Sequence, residues 1–398
     1  MPYYEILKKD ETSKARIGII HTAHGDIQTP AFLPIGTKGA VKSITTEELK
    51  FWGADIILAN TYHLWQRPGD ALIYKAGGLH KFMNWKGPIF TDSGGFQVFS
   101  LAKMRKVMEA GVLFQFDLDG RQEILSPEKS VQIQANLGSD IALIFDDFPG
   151  YPFEYERSKE SIALTKRWAE RAIREYQKII IDGDPINPGQ RLWGIVQGAS
   201  YPDLREQSAK DMVALGFEAF AIGGVAVGEP HEDMMLAVEA AIPHLPEISP
   251  KHLLGVGTPF DIVQAVARGC DTFDCVIPTR EARHGRLYVS AKYTVGINNK
   301  AEGYTTINIQ NEKFKEDFSP VDETCDCYLC TNHTKSYLRH LFASGEPLAT
   351  RLATMHNLRF YLNLMKKIHT AIQYEYFADM VRDYREVESG KWKVESRK

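Results

Sequence analysis

Ile141-Ala142-Leu143-Ile144-Phe145-Asp146 is a run of five apolar residues closed by a carboxylate. The run is continuous rather than alternating, which is the pattern of a strand buried on both faces of a parallel sheet. Seven further runs share the form, at 31–36, 55–60, 88–92, 192–197, 219–223, 252–256 and 272–276. Helical patterns separate most of them. Ser126-Pro127-Glu128 opens one with a cap and a first-turn proline, and residues 154–181 and 201–215 carry two more. Eight strands with intervening helices is the count of an α/β chain folded as a (β/α)8 TIM barrel. The alternative, a doubly wound open sheet, finds no G-x-G-x-x-G or Walker sequence to support it.

The residue that ends each run matters most, because in such a barrel the C-terminal rim of the strands carries the active site. Asn60, Asp92, Asp146, Gln197, Gly223 and Asp274 are then expected in one pocket. Thr91-Asp92-Ser93-Gly94-Gly95-Phe96-Gln97 offers a carboxylate, a hydroxyl, two glycines that allow close approach, and an aromatic stacking face. Asp146-Asp147 reads as paired carboxylates at a strand end. One carboxylate accepts two parallel hydrogen bonds from the ring N–H and exocyclic amine of a guanine-like base. Gln197 is suited to donate to the base carbonyl, as are the open backbone N–H groups of Gly223-Gly224-Val225. Asp274, followed by Arg280 and Arg283, suggests an anionic substrate held beside a nucleophile. Carboxylates serve as nucleophiles at sugar anomeric carbons.

Cys325-Asp326-Cys327-Tyr328-Leu329-Cys330 aims three thiols at one point, the arrangement of a closed structural zinc site. His333 is too near in sequence to swing across as fourth ligand. His340 and His356 lie beyond a helical stretch that returns the chain, and His356 has apolar neighbours, Leu352, Met355 and Leu358, to anchor it. The expected organisation is a catalytic barrel over 1–285 and a zinc-binding, helical subdomain over 286–390 packed against it. Residues 15–30 read as a hairpin around His24-Gly25-Asp26 covering the barrel bottom. Residues 286–309 read as strands and loops, 333–388 as helices, and 391–398 as a frayed end.

Net charge is −4, so nothing global announces nucleic acid. Locally, residues 278–292 carry a net of +3 and residues 335–370 a net of +5, which fits an anionic partner on one side. Solvated helix faces are the plainer reading of such runs. No stretch has the length of a signal peptide core or a membrane span, and the cysteines suit a reducing cytoplasm.

These motifs together, with Trp193-Gly194-Ile195-Val196-Gln197-Gly198 and Phe273-Asp274-Cys275-Val276-Ile277-Pro278-Thr279-Arg280, resemble the bacterial type of tRNA-guanine transglycosylase over nearly the whole chain and in order. The resemblance implies an irregular (β/α)8 barrel with a zinc subdomain and a cytoplasmic homodimer. It implies exchange of the wobble guanine of GUN-anticodon tRNAs (Asp, Asn, His, Tyr) for a 7-deazaguanine base in queuosine biosynthesis. Asp274 resembles the nucleophile, Asp92 the acid/base group and Asn60 its partner. Ser93, Asp146, Gln197, Gly223 and Gly224 fall in the base-recognition set, Phe96 on the stacking aromatic, and Arg280 and Arg283 at RNA contacts. Cys325, Cys327, Cys330 and His356 match the zinc ligands, which selects His356.

The chain departs from the pattern at Asp147-Phe148, where Glu-Cys is usual, at Leu254 for methionine, and at Thr258 for lysine. The connection from Tyr288 to Tyr304 is longer than usual. The expected incoming base is 7-aminomethyl-7-deazaguanine, with queuine as the alternative. A non-catalytic RNA-binding subunit of the same superfamily is a rival, disfavoured by the presence of Asp92, Asp274, Arg280 and Arg283. An archaeal-type enzyme would need further C-terminal RNA-binding domains.

Overall fold

The computed structural model describes residues 2–97, 105–116, 120–295 and 299–389. The expectation for 391–398 lies outside these residues. Three strands, β1 (Tyr4–Lys9), β2 (Arg16–Thr22) and β3 (Gly25–Thr29), form an antiparallel sheet. The barrel begins with β4 (Ala31–Leu33), β5 (Ile35–Gly36), β6 (Ile57–Ala59) and β7 (Ile89–Thr91). An antiparallel insertion follows: β8 (Arg105–Met108), β9 (Gly111–Gln115) and β10 (Gln122–Leu125). The barrel resumes with β11 (Ile141–Leu143), β12 (Arg191–Val196), β13 (Phe220–Ile222), β14 (Lys251–Leu253) and β15 (Thr272–Asp274).

Each of the eight apolar runs is a strand, yet the sheet has nine, in the order β4-β15-β14-β13-β12-β11-β7-β6-β5. Pro34 is the reason. It splits the first run because it has no N–H for the ladder, while its carbonyl still accepts from Leu58 N–H at 3.0 Å. On one side of it β4 pairs with β15, and on the other β5 pairs with β6. The two edges of the nine-stranded sheet are thus joined by a single proline, and the barrel closes there.

The N-terminal sheet seals the end where the strands begin. Asp271, just before β15, takes a buried two-point ion pair from Arg16 (Nη2 at 2.6 Å, Nε at 2.8 Å) and a bond from Tyr4 Oη at 2.9 Å. Asp140, just before β11, accepts from His24 Nδ1 at 2.8 Å and Ile89 N–H at 2.9 Å, with His80 Nε2 3.3 Å away. Strand β1, absent from the sequence reading, completes this cover.

Around the barrel, Ser126 caps the helix Pro127–Leu137 and Gly138 ends it at φ 71°. Helices Tyr155–Asp182, Pro202–Ala214, His231–Ala241 and Pro259–Ala267 follow their strands in turn. After the barrel come the helix Ile277–Arg283 and a hairpin of β16 (Arg286–Val295) and β17 (Asn299–Asn308). The cysteine loop is next, then the helices Lys335–Ala343, Pro347–Gln373 and Phe377–Glu388. Helix Pro347–Gln373 enters both cores. Tyr361, Leu364 and Ile368 join the barrel cluster, while Leu352, Leu358 and Leu362 join a second cluster shared with Trp52, Trp65 and Phe114.

Most of the C-terminal basic run is internally paired. Lys335, Arg339, Arg351, Arg359 and Lys367 face Asp317, Glu312, Glu48, Asp326 and Glu302 respectively. These five are committed to ion pairs, and Lys335, Arg339 and Arg359 are largely buried, so they form neither a free basic surface nor a fully solvated face.

Candidate active site and metal centre

The strand ends converge on a cavity of about 510 Å³ lined by Asp92, Ser93, Phe96, Asp146, Gln197, Gly223, Gly224, Asp274 and Arg280. Of the residues expected from sequence, Asn60 stands just behind this wall and Arg283 one turn beyond it.

Asp92 follows β7. Its Oδ1 accepts from Thr61 N–H at 2.9 Å and Gly94 N–H at 3.2 Å, and its Oδ2 from Asn60 Nδ2 at 2.5 Å. Asn60 in turn caps the next helix by accepting from His63 N–H at 2.9 Å. Burial pushes the Asp92 carboxyl from 3.8 to about 7, and the charge of Asp274 adds to the rise, against the bonds from Thr61, Gly94 and Asn60. A carboxyl poised there both gives and takes protons near neutrality.

Asp274 ends β15. Every hydrogen bond it makes among the described residues falls on Oδ1: Gly255 N–H at 3.0 Å and His252 Nε2 at 3.0 Å. The other carboxylate oxygen has no hydrogen-bond partner among the described residues.

Asp146 and Gln197 satisfy one another across the cavity wall, Gln197 Nε2 to Asp146 Oδ2 at 2.6 Å. Ser93 Oγ reaches Asp146 Oδ1 at 3.2 Å. Burial pushes Asp146 up to about 6, with the charge of Asp147 adding to it. Gln197 Oε1 is buried with no partner among the described residues. A Cβ on Gly224, which sits at φ 65°, would run into that same oxygen, so the close fit of Gln197 requires glycine here. Arg205, fully buried, fixes both loops by donating to the carbonyls of Ala199 (2.7 Å), Val196 (2.9 Å) and Gly223 (2.8 Å). The sequence reading missed it, since an arginine in the middle of a helical pattern looks like a solvated one.

The paired-carboxylate reading of Asp146-Asp147 is corrected. Only Asp146 faces the cavity. Asp147 turns away from the cavity and stays buried, in a two-point ion pair from Arg157 at 2.6 and 2.7 Å. Phe148 does line the cavity, its ring centroid 6.0 Å from that of the half-exposed Phe96. Leu254 lines it too, whereas Thr258 caps the helix Pro259–Ala267. Arg280 and Arg283 have no carboxylate partner among the described residues. Arg283 donates to Thr279 O at 2.8 Å, and burial followed by the neighbouring Arg280 charge lowers its pKa.

Residues 10–389 match the family described as queuine tRNA-ribosyltransferase. The chain is 50% identical over 383 residues to the queuine tRNA-ribosyltransferase of Listeria innocua serovar 6a, covering 96% of each. It is 48% identical to those of Streptococcus gordonii and Bacillus subtilis (strain 168), over 96% of this chain and 95% and 94% of theirs. The chain belongs to the queuine tRNA-ribosyltransferase family.

In this family member the second centre is Cys325, Cys327, Cys330 and His356, whose ligand atoms all lie within 4.8 Å of one another and can hold a metal ion. His356 Nδ1 stands 3.3 Å from Cys330 Sγ and 3.6 Å from Cys327 Sγ. These are about the edge lengths of a tetrahedron with metal–sulfur bonds near 2.3 Å and a metal–nitrogen bond near 2.0 Å. The opposite ring nitrogen, Nε2, meets Tyr288 O at 2.7 Å, which places the ring proton there and leaves Nδ1 as a ligand lone pair. Hydrogen bonds from Cys325 and Cys330 lower the pKa of the Cys327 thiol, favouring the thiolate a metal requires. His340 lies outside the cluster.

His24, His80 and Asp140 also approach one another. Their imidazoles are stacked at 3.6 Å, and the Asp140 oxygens are already taken by N–H donors. This group is a clasp of the barrel bottom. A larger depression of about 770 Å³ beside β16 and β17 mixes Lys292, Lys366 and Lys367 with Glu302, Asp322 and Glu323.

No helix among the described residues is long and apolar enough to cross a membrane.

Proposed function

We propose that this protein is a tRNA-guanine transglycosylase of queuosine biosynthesis. It exchanges the wobble guanine of GUN-anticodon tRNAs (Asp, Asn, His, Tyr) for 7-aminomethyl-7-deazaguanine by double displacement. The observation that carries this reading is one cavity holding a guanine-shaped edge, Asp146 with Gln197 and Gly224, beside the two carboxylates Asp92 and Asp274. A guanine edge presents two adjacent donors and one acceptor. Asp146 supplies the acceptors. Gln197 Nε2, released from Asp146, and the Gly224 N–H supply the donors to the carbonyl.

Single-stranded anticodon bases can be splayed out and read in this way, with stacking on Phe96. Asp274 Oδ2 bonds to C1′ while the bond from C1′ to the base nitrogen breaks, its electron pair leaving with guanine. Asp92 gives the departing base a proton. The incoming base then gives a proton back to Asp92 as its ring nitrogen attacks C1′, and Asp274 leaves as a carboxylate. Two inversions give net retention. Arg280 and Arg283, lacking carboxylate partners, hold flanking phosphates.

Zinc suits the three-thiolate, one-imidazole set, and four protein ligands make the site structural. Residues 1–285 form the catalytic barrel and 286–390 the zinc subdomain in this reading, with a cytoplasmic homodimer as the working form. Queuine as incoming base is the second reading, favoured by the name the relatives carry. Guanine-labelled tRNA chased with each base separately tests the choice. Release by 7-aminomethyl-7-deazaguanine supports the first reading, and release by queuine alone overturns it.

A further inference from the structure

We infer that His252 is a positioning residue for Asp274, and that Thr272 sets its tautomer. The inference rests on the reading of Asp274 as nucleophile. His252 and Thr272 face each other across the β14–β15 ladder. Asp274 lies two residues beyond Thr272 on the same strand, and so on the same face. The three side chains therefore form a row inside the barrel: Thr272 Oγ1 lies 2.9 Å from His252 Nδ1, and His252 Nε2 lies 3.0 Å from Asp274 Oδ1. The imidazole is fully buried, tilted at 33° over Phe90 with centroids 4.7 Å apart.

Proton accounting fixes the roles. An ionised carboxylate only accepts, so Nε2 carries the ring proton. In a neutral imidazole Nδ1 is then an acceptor, and the Thr272 hydroxyl is its donor. Both ring nitrogens are satisfied without a net charge, where an extra buried charge would be costly. Thr272 thus does for His252 what His252 does for Asp274.

The consequence falls on the reacting carboxylate. His252 and the Gly255 N–H both bond Oδ1. Two donors on one oxygen hold the carboxylate's rotation and present Oδ2 to C1′. In the second displacement the ester bond from Oδ2 to C1′ breaks and its electron pair returns to Asp274. Both donors are already placed to receive that charge.

The test is steady-state guanine exchange and denaturation-resistant tRNA–protein adduct formation by His252→Phe, His252→Gln and Thr272→Val, beside tRNA binding and thermal unfolding. His252→Phe is expected to lose about 10- to 100-fold in kcat with KM for tRNA unchanged, the cost of a misplaced reacting atom. Its adduct should form correspondingly more slowly. His252→Gln, which keeps a side-chain N–H, should recover part of the loss. Thr272→Val, close to isosteric, is expected to lose about tenfold, and it carries the test should His252→Phe not fold. Wild-type kcat in His252→Phe or in Thr272→Val overturns the inference. So does a loss shared equally by kcat, tRNA binding and thermal stability, with no rescue by glutamine. An inactive wild type overturns the transglycosylase reading along with it, whereas an active wild type with equally active variants overturns this inference alone.

Discussion

Tyr361 Oη donates to the Gly257 carbonyl at 2.5 Å, joining the helix that carries His356 to the wall of the Asp274 cavity. Asn357, next to His356, donates to the carbonyls of Pro278 and Arg286 at 3.0 Å each. One helix therefore holds a residue of the candidate metal centre, a cavity loop and the segment bearing Arg280 and Arg283. Chelation, or Cys330→Ser, should lower the unfolding midpoint by several degrees and weaken tRNA binding more than it weakens binding of free guanine. Calorimetry and filter binding read the two effects. Equal loss of both ligands would show that the helix does not couple the centres in this way.

Asp92, raised by burial from 3.8 to about 7, makes a signed prediction for stability. Between those values the folded protein holds a proton that the unfolded chain has released, so this group's contribution to stability falls as pH rises through the window and stays low above it. Asp92→Asn should therefore stabilise the fold at pH 8, by about 2 kcal/mol, and not at pH 4. Asp92 is only partly buried, so solvent screening keeps the gain below the full value of the shift. Activity falls in the same direction. As the acid in guanine departure, Asp92 should make kcat/KM for tRNA fall as pH rises through about 7. The Asn variant should lose that inflection and about 100-fold or more in rate.

In the proposed function Asp146 meets the base as a carboxylate, and burial raises its pKa to about 6. Guanine affinity should decline as pH falls below that value. Asp146→Asn turns an acceptor pair into an acceptor and a donor, and the donor opposes the base's amine. A rise in Kd for guanine of about 10- to 100-fold is expected, with little change in tRNA affinity. Isothermal titration with each ligand checks both halves.

Arg280→Ala and Arg283→Ala should each weaken tRNA binding without regard to base identity. Each should also reduce the slope of log K against log salt by about 0.7. A variant with an unchanged slope makes no phosphate contact.

The barrel was legible because its strands are buried on both faces and so read as unbroken apolar runs. Pro34 was legible as a residue, but the split it causes depends on which neighbours flank it. The rim followed from one rule, that residues just past the strand ends face the site. The same pleat explains the error at Asp147, since neighbours on an extended chain point opposite ways. His252 was missed because it sits at the start of an apolar run, where a polar residue looks incidental until Thr272 and Asp274 are seen across the ladder. Arg205 was hidden because its partners are carbonyls, which leave no mark in sequence. Three thiols in six residues had no other economical use, which made the clustering of Cys325, Cys327, Cys330 and His356 the plainest reading in the chain.

The central claim is that Asp274 forms a covalent bond to tRNA while guanine is exchanged. Radiolabelled guanine supplied to unmodified tRNA with wild-type protein and with Asp274→Ala tests it most directly. Incorporation by the wild type, none by a folded, metal-loaded Asp274→Ala, and an RNA–protein adduct surviving denaturation only with the wild type are the results expected. Incorporation by Asp274→Ala at the wild-type rate would contradict the account.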